Sequence, residues 1–146
     1  MGAVGKIPVK ATVRAGENRR MVAKVREHEI VMDLREERGG DNAGPSPPEC
    51  LALSIGGCVV NIARIMADQK RIKLTNLTAE VSGAIDPSRA MGLDSPNRAG
   101  FLEMEIHVGF DSDLAAKDRE AFHQELRQRC ALCDTILNPT PLKIIC

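Results

Sequence analysis

The segment from Cys50 to Ala67 constrains this chain more than any other. Leu51, Leu53, Ile55, Val59, Val60, Ile62, Ile65 and Met66 leave it apolar nearly all round. A helix of that kind must be covered on most sides. Its head is marked by Ser46–Pro47–Pro48–Glu49. Ser46 suits the N-cap, Pro47 the first helical position, and Glu49 stands where a capping box wants a carboxylate. The helix is expected to run to about Gln69. A bilayer span needs about 20 apolar residues with few charges. This segment carries Asn61 and Arg64 and ends in Asp68, Lys70 and Arg71, which favours a buried core helix and no membrane role. Gly56 and Gly57 each cost helix propensity, roughly 1 kcal/mol against alanine. A close approach to the backbone is therefore expected there.

The rest of the chain must supply the cover. Ile7, Val9, Ala11 and Val13 alternate with mostly polar neighbours and predict a strand. Met21 to Val25 and Glu29 to Leu34 predict two more, and Arg35 to Pro48 a surface loop. After the helix, Leu77, Ala79, Val81 and Ile85 share one face of a strand from Leu74 to Ile85. Leu102, Met104, Ile106, Val108 and Phe110 do the same between Phe101 and Phe110. Such alternation marks antiparallel strands with one wet face. Asp113 is expected to cap a second helix that starts near Leu114. Its stripe is Phe122, Leu126, Cys130, Cys133 and Leu137, and Asn138–Pro139 stops it. A last short strand is expected over Leu142 to Ile145. The order predicts an α+β fold, and 146 residues suit a single domain, 1–146.

Composition removes several functions. Twenty basic and twenty acidic residues give no net charge to steer nucleic acid. Aromatic residues make up 2%, so stacking platforms for bases are absent. The opening MGAVGKIPVKATVRAGENRR has no apolar run before a small-residue cleavage site, and the five cysteines are odd in number. Reduced thiols in a cytoplasmic chain are the expectation. His28, His107 and His123 show no metal-ligand spacing to a cysteine pair, so no metal is expected. Cys130 and Cys133 form a C-x-x-C, a redox spacing, although no βαβ pattern precedes it. Core packing remains open for these thiols and for Cys58.

Two stretches carry a family resemblance. GDNAGPSPPECLALSIGGCVVNIARI resembles the central-helix signature of the osmotically inducible protein C (OsmC) and organic hydroperoxide resistance family, and RCALCDTIL resembles its second signature. The resemblance implies antiparallel sheets packed around two central helices in an intertwined homodimer. It matches Cys58 to the peroxidatic cysteine and Cys130 to the resolving cysteine. Glu49 matches the carboxylate that holds a catalytic arginine, for which this chain offers Arg19 or Arg20. Cys133 stands where the family usually has Ser.

The implied chemistry is a thiol peroxidase acting on a peroxide substrate. Cys58 thiolate attacks the O–O bond, an arginine stabilises the departing alkoxide, and Cys130 condenses with the resulting sulfenic acid. A dithiol reductant resets the pair, and no metal or organic cofactor enters. The alternatives are a non-catalytic OsmC-fold dimer that binds a small apolar molecule, and a redox-responsive or metal-binding protein using Cys130 and Cys133.

Overall fold

The computed structural model describes residues 5–145. They form two compact units, the first ending at Leu51 and the second beginning at Ala52.

The first unit is built on a three-stranded antiparallel sheet, β1 (Thr12–Ala15), β2 (Met21–Val25) and β3 (His28–Met32), in that order. Thr12 pairs with Lys24, and Val25 pairs with His28 across the next turn. The strand predicted from Ile7 is therefore shorter than its alternation suggested. β2 ends one residue beyond Lys24, so Ile7 and Val9 have no partner in it, and they stand 77% and 88% exposed. After β3 the chain loops through a single 3-10 turn at Glu36–Arg38. Gly44 is required here, because a Cβ on it would run into the Val31 carbonyl. The loop ends in α1 (Pro47–Lys70).

α1 supplies most of its length to the second unit. Val59, Ala63 and Met66 form its core face. Arg71 adopts φ 55° and the Ile72 N–H reaches the Ala67 carbonyl at 2.9 Å, a left-handed close to the helix. By length and hydropathy α1 would suit a bilayer span, but Ala63 and Met66 are fully buried. It is a core helix.

A long hairpin follows, β4 (Thr75–Ile85) against β5 (Phe101–Asp111), antiparallel throughout. The alternation holds over most of the hairpin: Leu77, Ala79, Val81, Met104, Ile106 and Val108 are half-buried and the residues between them exposed, but Ile85 and Leu102, at its far end, are exposed as well. Gly56 faces this hairpin, where a Cβ would sit 3.4 Å from Val81 and 3.6 Å from the Ala79 carbonyl. Gly57 faces open space, so the expected close approach exists at one glycine only.

α2 (Ala116–Arg129) and α3 (Ala131–Leu137) complete the unit. Phe110 of β5 meets Phe122 of α2 edge to face at 5.5 Å, and Leu126 and Cys130 close the core. Three sequence expectations need correction. Asp113 does not cap α2, which starts after Ala115. The single second helix is two, so three helices stand where two were expected, and the break falls on Cys130. Residues 142–145 form no strand: Pro139 and Pro141 remove backbone donors just before them, and among the described residues no strand pairs with them.

Candidate active site

The break at Cys130 explains the local arrangement of the thiols. Cys130 takes an extended backbone, φ −80° and ψ 108°, and is at once the last residue of α2 and the N-cap of α3. Its Sγ accepts the Cys133 N–H at 3.4 Å, a role normally filled by Ser, Thr, Asp or Asn. Cys130 is fully buried. Cys58, half-buried in the middle of α1, packs against the core cluster that contains Cys130. Two thiols from distant stretches of sequence thus share one core, and each figures among the influences on the other's ionisation. Cys133 packs against the same cluster, so three cysteines gather around Cys130. No disulfide links Cys50, Cys58, Cys130 and Cys133.

Burial is the main influence on Cys58 and pushes its thiol above the ordinary value. The Leu132 N–H opposes this, the Cys130 side chain adds to it, and the Ala131 N–H opposes it again. Lysine and arginine charges do not figure among the main influences. Burial raises Cys130 as well, with the Cys133 side chain adding to it. Beside the thiols lies a mainly apolar cavity of about 410 Å³ that Ile55, Val59, Ile106, His123, Arg127 and Cys133 help to line.

In the first unit, Glu49 fills the capping-box position. Its Oε2 accepts both the Ser46 N–H and the Ser46 hydroxyl at 2.7 Å. Its Oε1 accepts from Arg35 Nη2, also at 2.7 Å. The Ser46 N–H, the Arg35 guanidinium and the Ser46 hydroxyl hold the carboxyl down to about 2. The guanidinium on Glu49 is therefore Arg35, not Arg19 or Arg20. Arg20 turns instead to Asp41, at 3.2 Å, and to Asp33, at 3.9 Å, while Arg19 is exposed. Sequence reading passed over Arg35 because nothing in a polar loop marks one arginine among several.

Asp33 was also missed. It is fully buried, and its two oxygens accept the Leu34, Asp41 and Ala43 N–H groups at 2.8, 3.0 and 3.1 Å. Burial pushes its carboxyl up, but the three N–H groups and the Arg20 charge outweigh that and hold it below the usual value. The carboxylate ties down the loop that carries Arg35. Among the described residues, no group of three or more His, Cys, Asp or Glu side chains is placed to hold a metal ion.

The family profile described as OsmC-like protein matches residues 39–145. The chain belongs to the OsmC-like family. Solved structures agree on the OsmC-like fold. An OsmC-like protein from Mycoplasma pneumoniae superposes with a TM-score of 0.80 at 20% identity, over 92% of this chain and 91% of that one. A putative osmotic stress induced and detoxification response protein from Psychrobacter arcticus gives 0.70 at 24% identity, over 95% and 93%. An organic hydroperoxide resistance protein, OsmC, from Legionella pneumophila gives 0.66 at 15% identity, over 91% of each chain. A search of the curated proteins finds no match. Within this OsmC-like chain, Cys58, Cys130 and Cys133 are gathered at one core cluster.

Proposed function

We propose that this OsmC-like chain is a thiol-dependent peroxidase that reduces organic hydroperoxides or hydrogen peroxide. Cys58 attacks the peroxide and becomes a sulfenic acid, Cys130 condenses with it, and a dithiol reductant restores both thiols. The observation that carries this reading is that Cys58 packs against the core cluster that holds Cys130, close enough for each thiol to influence the other. The structural relative from Legionella pneumophila, named for organic hydroperoxide resistance, supports the choice of substrate class. A homodimer belongs to the same reading, since α1 leaves Leu51, Leu53 and Ile65 at 36%, 65% and 37% exposure.

Attack requires the thiolate, and burial opposes it. An arginine must therefore stabilise the charge, with Glu49 holding the guanidinium. Arg35 is the first choice because it is the arginine paired with Glu49; Arg19 and Arg20 are the others. The pH dependence of Cys58 alkylation separates them. Arg35→Met is expected to raise the midpoint, and Arg19→Met and Arg20→Met to leave it in place. A midpoint that Arg35→Met does not move removes Arg35 from the reaction.

Mass spectrometry after one equivalent of hydroperoxide tests the whole reading. The expected result is a loss of two hydrogens per chain, mapped to Cys58–Cys130 at the earliest time, on a native assembly of two chains. An unchanged mass with all thiols intact would favour the second reading, a small-molecule-binding protein, for which the apolar cavity speaks.

A further inference from the structure

We propose that Cys133 is a third redox thiol, and that the disulfide formed between Cys58 and Cys130 passes by exchange to Cys130–Cys133, the form a dithiol reductant meets. The proposal rests on the peroxidase reading only for what first oxidises Cys58.

The break between α2 and α3 is the first support. A continuous helix would leave Cys130 and Cys133 as two positions on one buried stripe. The break instead puts Cys130 at the N-cap of α3, with its sulfur turned back toward the Cys133 N–H at 3.4 Å. Three residues along a first helical turn separate Cα atoms by about 5 Å. A disulfide needs roughly 4.4–6.8 Å. The pair is thus spaced for a bond without moving either helix.

The order of the sulfurs is the second support. The Cys130 sulfur accepts the Cys133 N–H at 3.4 Å, and Cys58 packs against the same core cluster as Cys130. Exchange requires the incoming thiolate to meet the sulfur that is already in the disulfide. Cys133 is next to that sulfur before any oxidation occurs.

Exposure is the third. Cys130 is fully buried, so half of a Cys58–Cys130 bond is sealed from an external thiol. Cys133 is half-buried and lines the open cavity of about 410 Å³. Exchange carries the bond from the sealed core to the cavity wall.

The step balances without an outside oxidant. Cys133 gives its proton to solvent and attacks the Cys130 sulfur. The Cys130–Cys133 bond forms as the Cys58–Cys130 bond breaks, and Cys58 leaves as a thiolate that can react again. A dithiol then reduces Cys130–Cys133 and is itself oxidised to a disulfide.

The experiment follows the thiols through time. The protein is treated with one equivalent of tert-butyl hydroperoxide, quenched with acid, alkylated and mapped by mass spectrometry. The Cys58–Cys130 link should appear first and decline as Cys130–Cys133 rises and Cys58 becomes alkylatable. In Cys133→Ser, and in Cys133→Ala as a second variant, the Cys58–Cys130 link should persist, and dithiothreitol should reduce it at least about tenfold more slowly. A Cys58–Cys130 link that stays the only one in the unsubstituted protein overturns the proposal, as does equal reduction in the variants. If hydroperoxide is not consumed at all, the peroxidase reading fails by itself. Diamide then oxidises the same thiols, and the same comparison of links decides the exchange.

Discussion

Replacing Cys58 by Ser is expected to abolish hydroperoxide consumption, a fall on the order of a thousandfold or more. A hydroxyl at that position is far less acidic than the thiol and cannot form the sulfenic acid on which the reaction depends. The fold should survive, because Ser is close in size and Cys58 is only half-buried. Cys130→Ser should behave differently. One equivalent is consumed, and Cys58 is left with one added oxygen that a sulfenic-acid trap captures. The two variants together separate attack from resolution. Full activity in Cys58→Ser would assign the chemistry elsewhere, whatever Cys130→Ser does.

The largest structural effect is expected at Asp33. Asp33→Ala leaves the Leu34, Asp41 and Ala43 N–H groups without their acceptor, and each such loss in a buried place is costly. The Tm should fall by roughly ten degrees or more. Asp33→Asn should recover part of the loss, because its carbonyl oxygen can still accept the Asp41 and Ala43 N–H groups while its amide faces the Leu34 N–H. An unchanged Tm in both variants would mean that the loop holds itself. The same carboxylate makes the fold acid-sensitive, with a definite sign. Asp33 and Glu49 both titrate below their ordinary values in the folded chain. Their contribution is present above the usual carboxylate range and is lost as pH falls below it, for Glu49 from about 4.5 toward 2. Asp33→Ala should flatten part of that decline.

The α1 helix was legible because its signals agree. Ser46, Pro47 and Glu49 announce the start, and a mainly apolar run, broken only at Ser54, Asn61 and Arg64, carries it to Ala67, three residues short of its end at Lys70. The β4–β5 hairpin was legible from a period of two kept over long stretches. The failures have a common cause in partners that local pattern does not name. Ile7 and Val9 alternate as a strand would, yet β2 ends before reaching them. Leu142 and Ile144 are apolar at the right spacing, yet they stand 84% exposed. At Cys130 no Gly or Pro interrupts the stripe, and a sulfur acting as a helix cap leaves no trace in the spacing. The cysteines of the candidate site could be picked out from the family signatures. Arg35 and Asp33 could not, because their meaning lies in what they contact.

The gathering of Cys58 and Cys130 in one core bears on how long the protein would survive its own substrate. A sulfenic acid that waits for a distant partner is exposed to a second oxidant molecule, which carries it to the irreversible sulfinic stage. Here the partner sits in the same core cluster, so on the proposed chemistry closure competes as a first-order event. Inactivation then depends on oxidant concentration outrunning a fixed internal rate, and the dependence of half-life on peroxide concentration reports the ratio of the two.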